Sequence, residues 1–346
     1  KDRVLEALEG HRGTYFSGEA LAKELQVSRN AVWKAIRQLR DQGYPIHAVS
    51  NRGYSLAPDS AMLSPQSIAP FLTVPGLQVE VQPVVTSTNQ VLRQRAEEGA
   101  HEGLALVAVT QTAGRGRRDH SFFSPPDSGL YLSFLLRPDL SARDALSLTT
   151  CAAASVALAI EECAGVDAKI KWVNDVFCHG KKVCGILTEA ALDLETGGLQ
   201  YAIVGIGVNL FPPKGGFPPE LPEAGAVFPT RPQGLEGRSQ LAGSILNHFF
   251  SFYPHLKDKP LPAPLPGSGP GDHRLRRRAD PHRLCPGPGT GFLPPGPGNR
   301  RHHPYPILWG GSGPAGSWLS SHIFYDSSLD CPSPWGIIFF TICKGG

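Results

Sequence analysis

The stretch LALVAVTQTAGRGRR, Leu104 to Arg118, runs from an apolar segment into a basic, glycine-spaced loop. Leu104 to Val109 reads as a buried strand, because an unbroken run of Leu, Val and Ala suits a strand covered on both faces. Gln111 to Arg118 then sets three arginines on glycine hinges. A guanidinium offers five donors in a planar fork matched to phosphate or carboxylate, and glycine lets the backbone close over a ligand. Such a loop suits a clamp for an anionic, phosphate-bearing ligand. A solvated hairpin or a nucleic-acid contact would use the same residues.

On both sides of this stretch, strand-like and helical segments alternate. Leu77 to Val85 predicts a strand, Asn89 to Glu98 a helix, and Leu104 to Gln111 and Leu130 to Leu136 two further strands. A long Ala- and Leu-rich helix follows from Ala142 to Cys163. Then come strands over Lys169 to Trp172, Val183 to Ala190 and Leu199 to Asn209, and a helix over Ser239 to Leu256. This pattern predicts an α+β domain over 64–256, a mixed sheet with helices on one side. Pro58-Asp59-Ser60 is a candidate linker in front of it.

Residues 1–58 have a different character. Val4, Leu5 and Leu8 share one helical face, and Ala20, Leu21 and Leu25 form a second amphipathic turn. Ser28 is placed to cap a helix from Arg29 to Arg40, whose Val32, Ala35, Ile36 and Leu39 make a buried stripe. Its other face carries Arg29, Asn30, Trp33, Lys34, Arg37 and Arg40, the residue types that serve a helix lying in a major groove. Ile46 to Ser50 and Gly53 to Leu56 read as a hairpin with Arg52 at its tip. The whole predicts a winged helix-turn-helix, and a three-helix bundle with a solvated basic face is the plainer alternative. A single module of this kind binds DNA weakly, so useful affinity implies a dimer on a two-fold site.

The 346 residues suffice for two or three domains. A formal net charge of +3 is too small to argue for nucleic acid, so DNA contact must come from a local patch. The seven cysteines form neither a CxxC pair nor a metal spacing and read as reduced thiols. No signal peptide and no uncharged apolar run of membrane-spanning length stands out, which predicts a cytoplasmic protein.

Five segments carry a resemblance to a known family. They are Pro83 to Gln90 (PVVTSTNQ), the arginine loop, Lys171 to Asp175 (KWVND), Lys181 to Leu187 (KKVCGIL) and Val204 to Asn209 (VGIGVN). In this order they resemble the catalytic domain of biotin–protein ligases, also called biotin–[acetyl-CoA-carboxylase] ligases. With the winged helix in front, the chain resembles the bifunctional class that also represses the biotin operon. The resemblance implies a class II synthetase-like fold, with biotin and ATP as substrates and Mg²⁺ on the phosphates. It implies as partners a biotin carboxyl carrier protein and operator DNA, and a homodimer when biotinyl-adenylate is bound.

The family pattern implies biotin contacts at Ser87, Thr88, Asn89, Gln111, Arg115, Gly116, Arg117 and Lys182. It implies nucleotide contacts at Arg117, Arg118, Trp172, Asn174, Asp175 and Asn209. Lys182 and Arg117 would serve catalysis, and Asp175 would hold Mg²⁺. DNA contacts fall on Arg29, Asn30, Trp33, Lys34, Arg37 and Arg52. Ser87 to Asn89 would also cap the helix that follows, and Trp172 suits core packing equally well. Gly205 and Gly207 suit close backbone approach.

Two departures stand out. Asp119 and His120 follow Arg118 where the family usually continues with Gly-Arg, which predicts a looser grip on the adenylate. From 258 to 346 the chain is rich in Pro and Gly and nearly devoid of Lys and Glu. An SH3-like barrel belongs there in the family; this composition instead predicts a disordered or frame-shifted tail. A biotin-sensing DNA-binding regulator, with little ligase activity for want of that barrel, is therefore a second reading. A winged-helix protein that binds another carboxylate such as lipoate is a third.

Overall fold

The structure is a computed structural model. It describes residues 1–58, 60–141, 144–193, 195–230 and 237–256 (the Asp119 side chain apart) and three strands of the tail. The chain divides into two compact units, Lys1–Pro260 and Leu261–Gly346.

In the N-terminal module, helices α1 (Asp2–Glu9), α2 (Gly18–Leu25) and α3 (Arg29–Asp41) precede strands β1 (Ile46–Val49) and β2 (Gly53–Leu56). The expected stripe Val32, Ala35, Ile36 and Leu39 is buried with Val4, Leu5, Leu8, Leu21 and Leu25 in one core. Ser17 and Ser28 cap α2 and α3, accepting from the backbone N–H of Ala20 and Ala31. At the hairpin, Gly53 has φ +99°, and a Cβ there would lie 1.9 Å from the Phe16 carbonyl oxygen. Only glycine lets β2 pair with Phe16, and the two backbone bonds between Phe16 and Tyr54 are 2.8 Å each. Arg40 differs from its sequence reading as a groove-facing cation. Its Nε and Nη2 both donate to the Ile46 carbonyl, tying α3 to the wing.

The segment read as a linker is pinned instead. Ser60 is buried, and its carbonyl accepts from Arg12 Nη1 at 2.9 Å. A capping box between Ser64 and Ser67 then opens the short helix α4 (Pro65–Ile68).

The second module holds β3 (Gln78–Val85), α5 (Thr88–Glu97), β4 (Leu104–Gln111), β5 (Gly129–Leu136), α6 (Ala145–Ala164) and β6 (Lys169–Lys171). It continues through β7 (Asp175–Cys178), β8 (Lys181–Leu192), β9 (Leu199–Asn209) and α7 (Gly237–Phe252). The sheet order in this unit is β6-β7-β8-β9-β5-β4-β3. The β3–β4 pair is parallel and the other pairs are antiparallel, which makes the sheet mixed as expected. Strand β7 has no counterpart in the sequence reading; at four residues it is too short to show a pattern.

Helices cover both faces of the sheet, correcting the one-sided arrangement. Side chains alternate along β5, so neighbouring residues face opposite ways. Leu135 packs with Leu92 and Ala96 of α5, whereas Phe134 meets Phe249 and Phe250 of α7 at 4.5 and 5.7 Å between ring centroids. Every residue of β5 is buried for this reason. Among the described residues α6 alone is long and apolar enough to cross a membrane, but 67% of its apolar window is buried inside the protein. It is a core helix.

In the second unit β10 (Tyr305–Leu308), β11 (Leu319–Tyr325) and β12 (Ile338–Lys344) pair antiparallel in that order. Beyond these strands, the disordered or frame-shifted reading of 258–346 lies outside the described residues.

Candidate active site and DNA-facing surface

A cavity of about 700 Å³ opens on the α5 face of the sheet, between the arginine loop and β8 and β9. Its floor is a hydrogen-bonded polar group. Ser87, Thr88 and Asn89 begin α5 and are almost completely buried. Ser87 occupies the cap position without a side-chain cap bond, so the capping role expected of the triplet is not taken by Ser87. Thr88 instead donates from its backbone N–H and its Oγ1 to Gln111 Oε1, at 2.8 and 3.1 Å. Ser133 Oγ lies 2.6 Å from Thr88 Oγ1 and 2.7 Å from Asn89 Oδ1. Gln111 Nε2 donates to Ser124 Oγ at 3.0 Å. In a buried site such a network fixes which lone pairs and protons remain for a ligand.

The loop folds back as a tight hairpin over this floor. Gly116 N donates to the His120 carbonyl at 2.7 Å and Phe122 N to the Gly114 carbonyl at 2.8 Å, while Arg118 takes a left-handed φ of 54°. The Phe122 ring lands on β9, where a Cβ on Gly207 would come within 2.4 Å of it. A Cβ on Gly205 would lie 2.1 Å from Asn89 Oδ1. The sequence reading gave these glycines to close approach by a ligand or a neighbouring strand; what meets them here is the side chains of Phe122 and Asn89.

The three principal cations each meet a protein acceptor. Arg115 Nη1 is 3.0 Å from Glu189 Oε1, Arg117 Nη1 donates to Asn174 Oδ1 at 2.8 Å, and Lys182 Nζ is 2.8 Å from Asp175 Oδ1. Asn174 in turn donates to Asp175 Oδ1 at 2.8 Å. Lys182 is also held by its backbone: its N–H donates to the Glu223 carbonyl and its own carbonyl accepts from Gly225 N. The strap through 220–225 thus presses on the lysine, with Glu220 and Leu221 on the cavity wall. Lys181, read as a solvated neighbour, is exposed and donates to the Pro222 carbonyl.

The structure gathers around one cavity Ser87, Thr88, Asn89, Gln111, Arg115, Gly116, Arg117, Arg118, Asn174, Asp175 and Lys182. Trp172 and Asn209 are not on its wall. Trp172 is 42% exposed, so the core-packing reading of its indole does not hold, and the Asn209 carbonyl accepts from Val227 N. His120 also lines the cavity, whereas the Asp119 side chain lies outside the described residues. Sequence reasoning missed Glu189, Ser124, Ser133 and the strap. Ser133 carried a signal, a lone hydroxyl inside an apolar strand; the strap carried none.

Among the described residues no three His, Cys, Asp or Glu side chains gather as a metal cluster. A magnesium ion that arrives on phosphates needs only one or two protein carboxylates; Asp175 and Glu220 are the carboxylates on the cavity wall.

On the first module, Arg29, Asn30, Trp33, Lys34 and Arg37 are exposed on α3 and Arg52 is exposed at the hairpin tip. Arg52 stacks over the Tyr15 ring at 4.3 Å and Arg37 lies 5.7 Å from the Trp33 centroid. The residues expected to face DNA are thus exposed, and on both α3 and the hairpin tip an arginine lies over an aromatic ring.

A helix-turn-helix module joined to a sheet whose arginine loop covers a polar-floored cavity defines a two-module protein, one module built for DNA and one for an anion. Family models and curated relatives match both modules. Residues 1–55 match an HTH domain, and residues 81–209 match the Biotin/lipoate A/B protein ligase family. The bifunctional ligase/repressor BirA of Bacillus subtilis is 38% identical over 246 residues, 70% of this chain and 74% of that protein. That of Bacillus spizizenii is 39% identical over 209 residues, 60% of this chain and 64% of that protein. A biotin protein ligase from Aquifex aeolicus in complex with biotin and ATP superposes with a TM-score of 0.43 at 30% identity, covering 53% of this chain and 72% of that one. The chain belongs to the Biotin/lipoate A/B protein ligase family.

Proposed function

We propose that this chain is an ATP-dependent biotin–protein ligase and a DNA-binding repressor, with biotinyl-5′-adenylate as the corepressor. The observation that carries the reading is the convergence of Arg115, Arg117 and Lys182 over a floor of buried Ser87, Thr88 and Asn89 with half-buried Gln111. The floor suits a cyclic urea, whose carbonyl and two N–H groups need polar partners in a confined site. The cations suit a carboxylate and a phosphate brought together.

In this mechanism a biotin carboxylate oxygen attacks the α-phosphorus of ATP and pyrophosphate leaves. A lysine amine of the carrier protein then attacks the acyl carbon; AMP leaves, and the amine loses its proton. The chain needs no nucleophile of its own. It orients two anions that repel one another, and Lys182 and Arg117 neutralise charge growing on the phosphate. Asp175 would hold a magnesium ion on the ATP phosphates, which would screen their charge, and Asn174 and Arg118 belong to the same phosphate end. Binding therefore separates Lys182 from Asp175 and turns it to the ligand. The module boundaries 1–58 and 64–256, the pairing of two chains on operator DNA and the carrier protein as acceptor belong to the same reading.

Biotin-dependent ATP–pyrophosphate exchange tests it. Wild-type chain should exchange, and Lys182→Ala should lower the rate by about 100-fold or more, the scale of losing one charge-stabilising donor. Biotin binding without exchange in the wild type would favour the biotin-sensing regulator.

A further inference from the structure

Glu189 lies on β8, behind the cavity wall rather than on it. Its Oε2 accepts from Asn89 Nδ2 at 2.9 Å, and its Oε1 accepts from Arg115 Nη1 at 3.0 Å and Arg93 Nη2 at 2.7 Å. The carboxylate side chain is 13% exposed, while the Arg115 and Arg93 side chains are 43% and 45% exposed. The anchor is thus the more buried partner, and the arginines are the more exposed ones. The contact with Asn89 fixes its amide. Nδ2 donates to the Leu187 carbonyl and to Glu189, and Oδ1 faces Ser133. Both amide protons are then committed, so toward a ligand Asn89 can act only as an acceptor.

A guanidinium that pairs with a carboxylate is presented with its own ligand chemistry. Any carboxylate entering the cavity competes with Glu189 for Arg115. We propose that Glu189 is a positioning residue: an internal carboxylate that holds Arg115 until the substrate carboxylate displaces it, while it keeps Asn89 turned as an acceptor. The inference rests on the ligase reading above and adds to it a specific competitor. A ligand without a charged head cannot make the exchange, so Glu189 lowers the affinity for the acid and spares that for a neutral analogue.

The test uses the full chain and calorimetry with two probes, biotin and its alcohol analogue, which carries CH₂OH in place of the carboxylate. The readout is the ratio of the alcohol Kd to the biotin Kd. Glu189→Gln should raise this ratio about threefold, in the range of partly exposed ion pairs, and Glu189→Ala should move it the same way if the glutamine variant fails to fold. In an Arg115→Gln background the same substitution should leave the ratio unchanged, because the effect runs through that arginine. A ratio unmoved by either substitution, with biotin still bound, overturns the proposal. So does an equal rise when Arg115 is absent. Failure of the wild-type chain to bind biotin at all would instead overturn the ligase reading.

Discussion

Ser133 lies mid-strand in β5 with none of its surface exposed, flanked by leucine and phenylalanine. A hydroxyl buried without partners would be costly; here it sits between Thr88 and Asn89 and fixes both. Individual cysteines behave in the opposite way. Burial pushes the thiols of Cys151 and Cys178 up to about 12, and Cys184 higher still. Because the thiolate is the nucleophile, these three should resist iodoacetamide at pH 8 in the native chain and react once urea unfolds it. Peptide mass spectrometry reads the difference. Rapid native labelling of Cys184 would mean that β8 opens beside Lys182, contrary to the packing.

Helix α5 shows how one element carries both stability and chemistry. Its inner face puts Leu92 and Ala96 against Leu104, Leu106, Leu135 and Ile203, and its first turn delivers Thr88 and Asn89 to the cavity floor. Leu92 is 1% exposed, so Leu92→Ala should cost about 2–5 kcal/mol of stability, as truncation of a buried leucine generally does. The same substitution should weaken biotin binding although Leu92 does not line the cavity. Denaturant unfolding and calorimetry on one preparation check both effects. A stability loss with unchanged affinity would show that the first turn is held by its hydrogen bonds alone.

For the whole molecule, the two modules are joined by a short segment held at two carbonyls: Arg12 of the first module holds that of Ser60, and Arg238 in the first turn of α7 holds that of Ala61. The basic surface on α3 and the hairpin tip projects away from the stripe that forms the module's core. In the proposed repressor, Arg37→Ala and Arg52→Ala should each weaken operator binding while leaving pyrophosphate exchange unchanged. If either contacts phosphate, its loss should reduce the slope of log affinity against log salt by about one unit. Fluorescence anisotropy across a salt series reads this. A parallel loss of exchange would contradict the separation of the two surfaces.

Much of this protein was legible in the chain itself. Hydrophobic patterning marked α1, α3, β4 and β9 at or near their observed ends: one-sided burial gave the helices their period, and burial on both faces gave the strands their apolar runs. The arginine loop was legible because its cations and glycines stand side by side, whereas the Ser-Thr-Asn triplet and Lys182 were legible through the resemblance to biotin–protein ligases. Tertiary structure alone decided which faces the helices cover, since a strand buried on both sides carries no alternation to say where its partners lie. It alone revealed that Glu189 reaches Arg115 across 74 positions, and that the 220–225 strap grips the Lys182 backbone. It removed Trp172 and Asn209 from the cavity wall while leaving Asn174 and Gly207, two positions away, on it. Contacts between distant segments leave no periodic trace, because their specificity lies in register and sheet twist rather than in the identity of either residue.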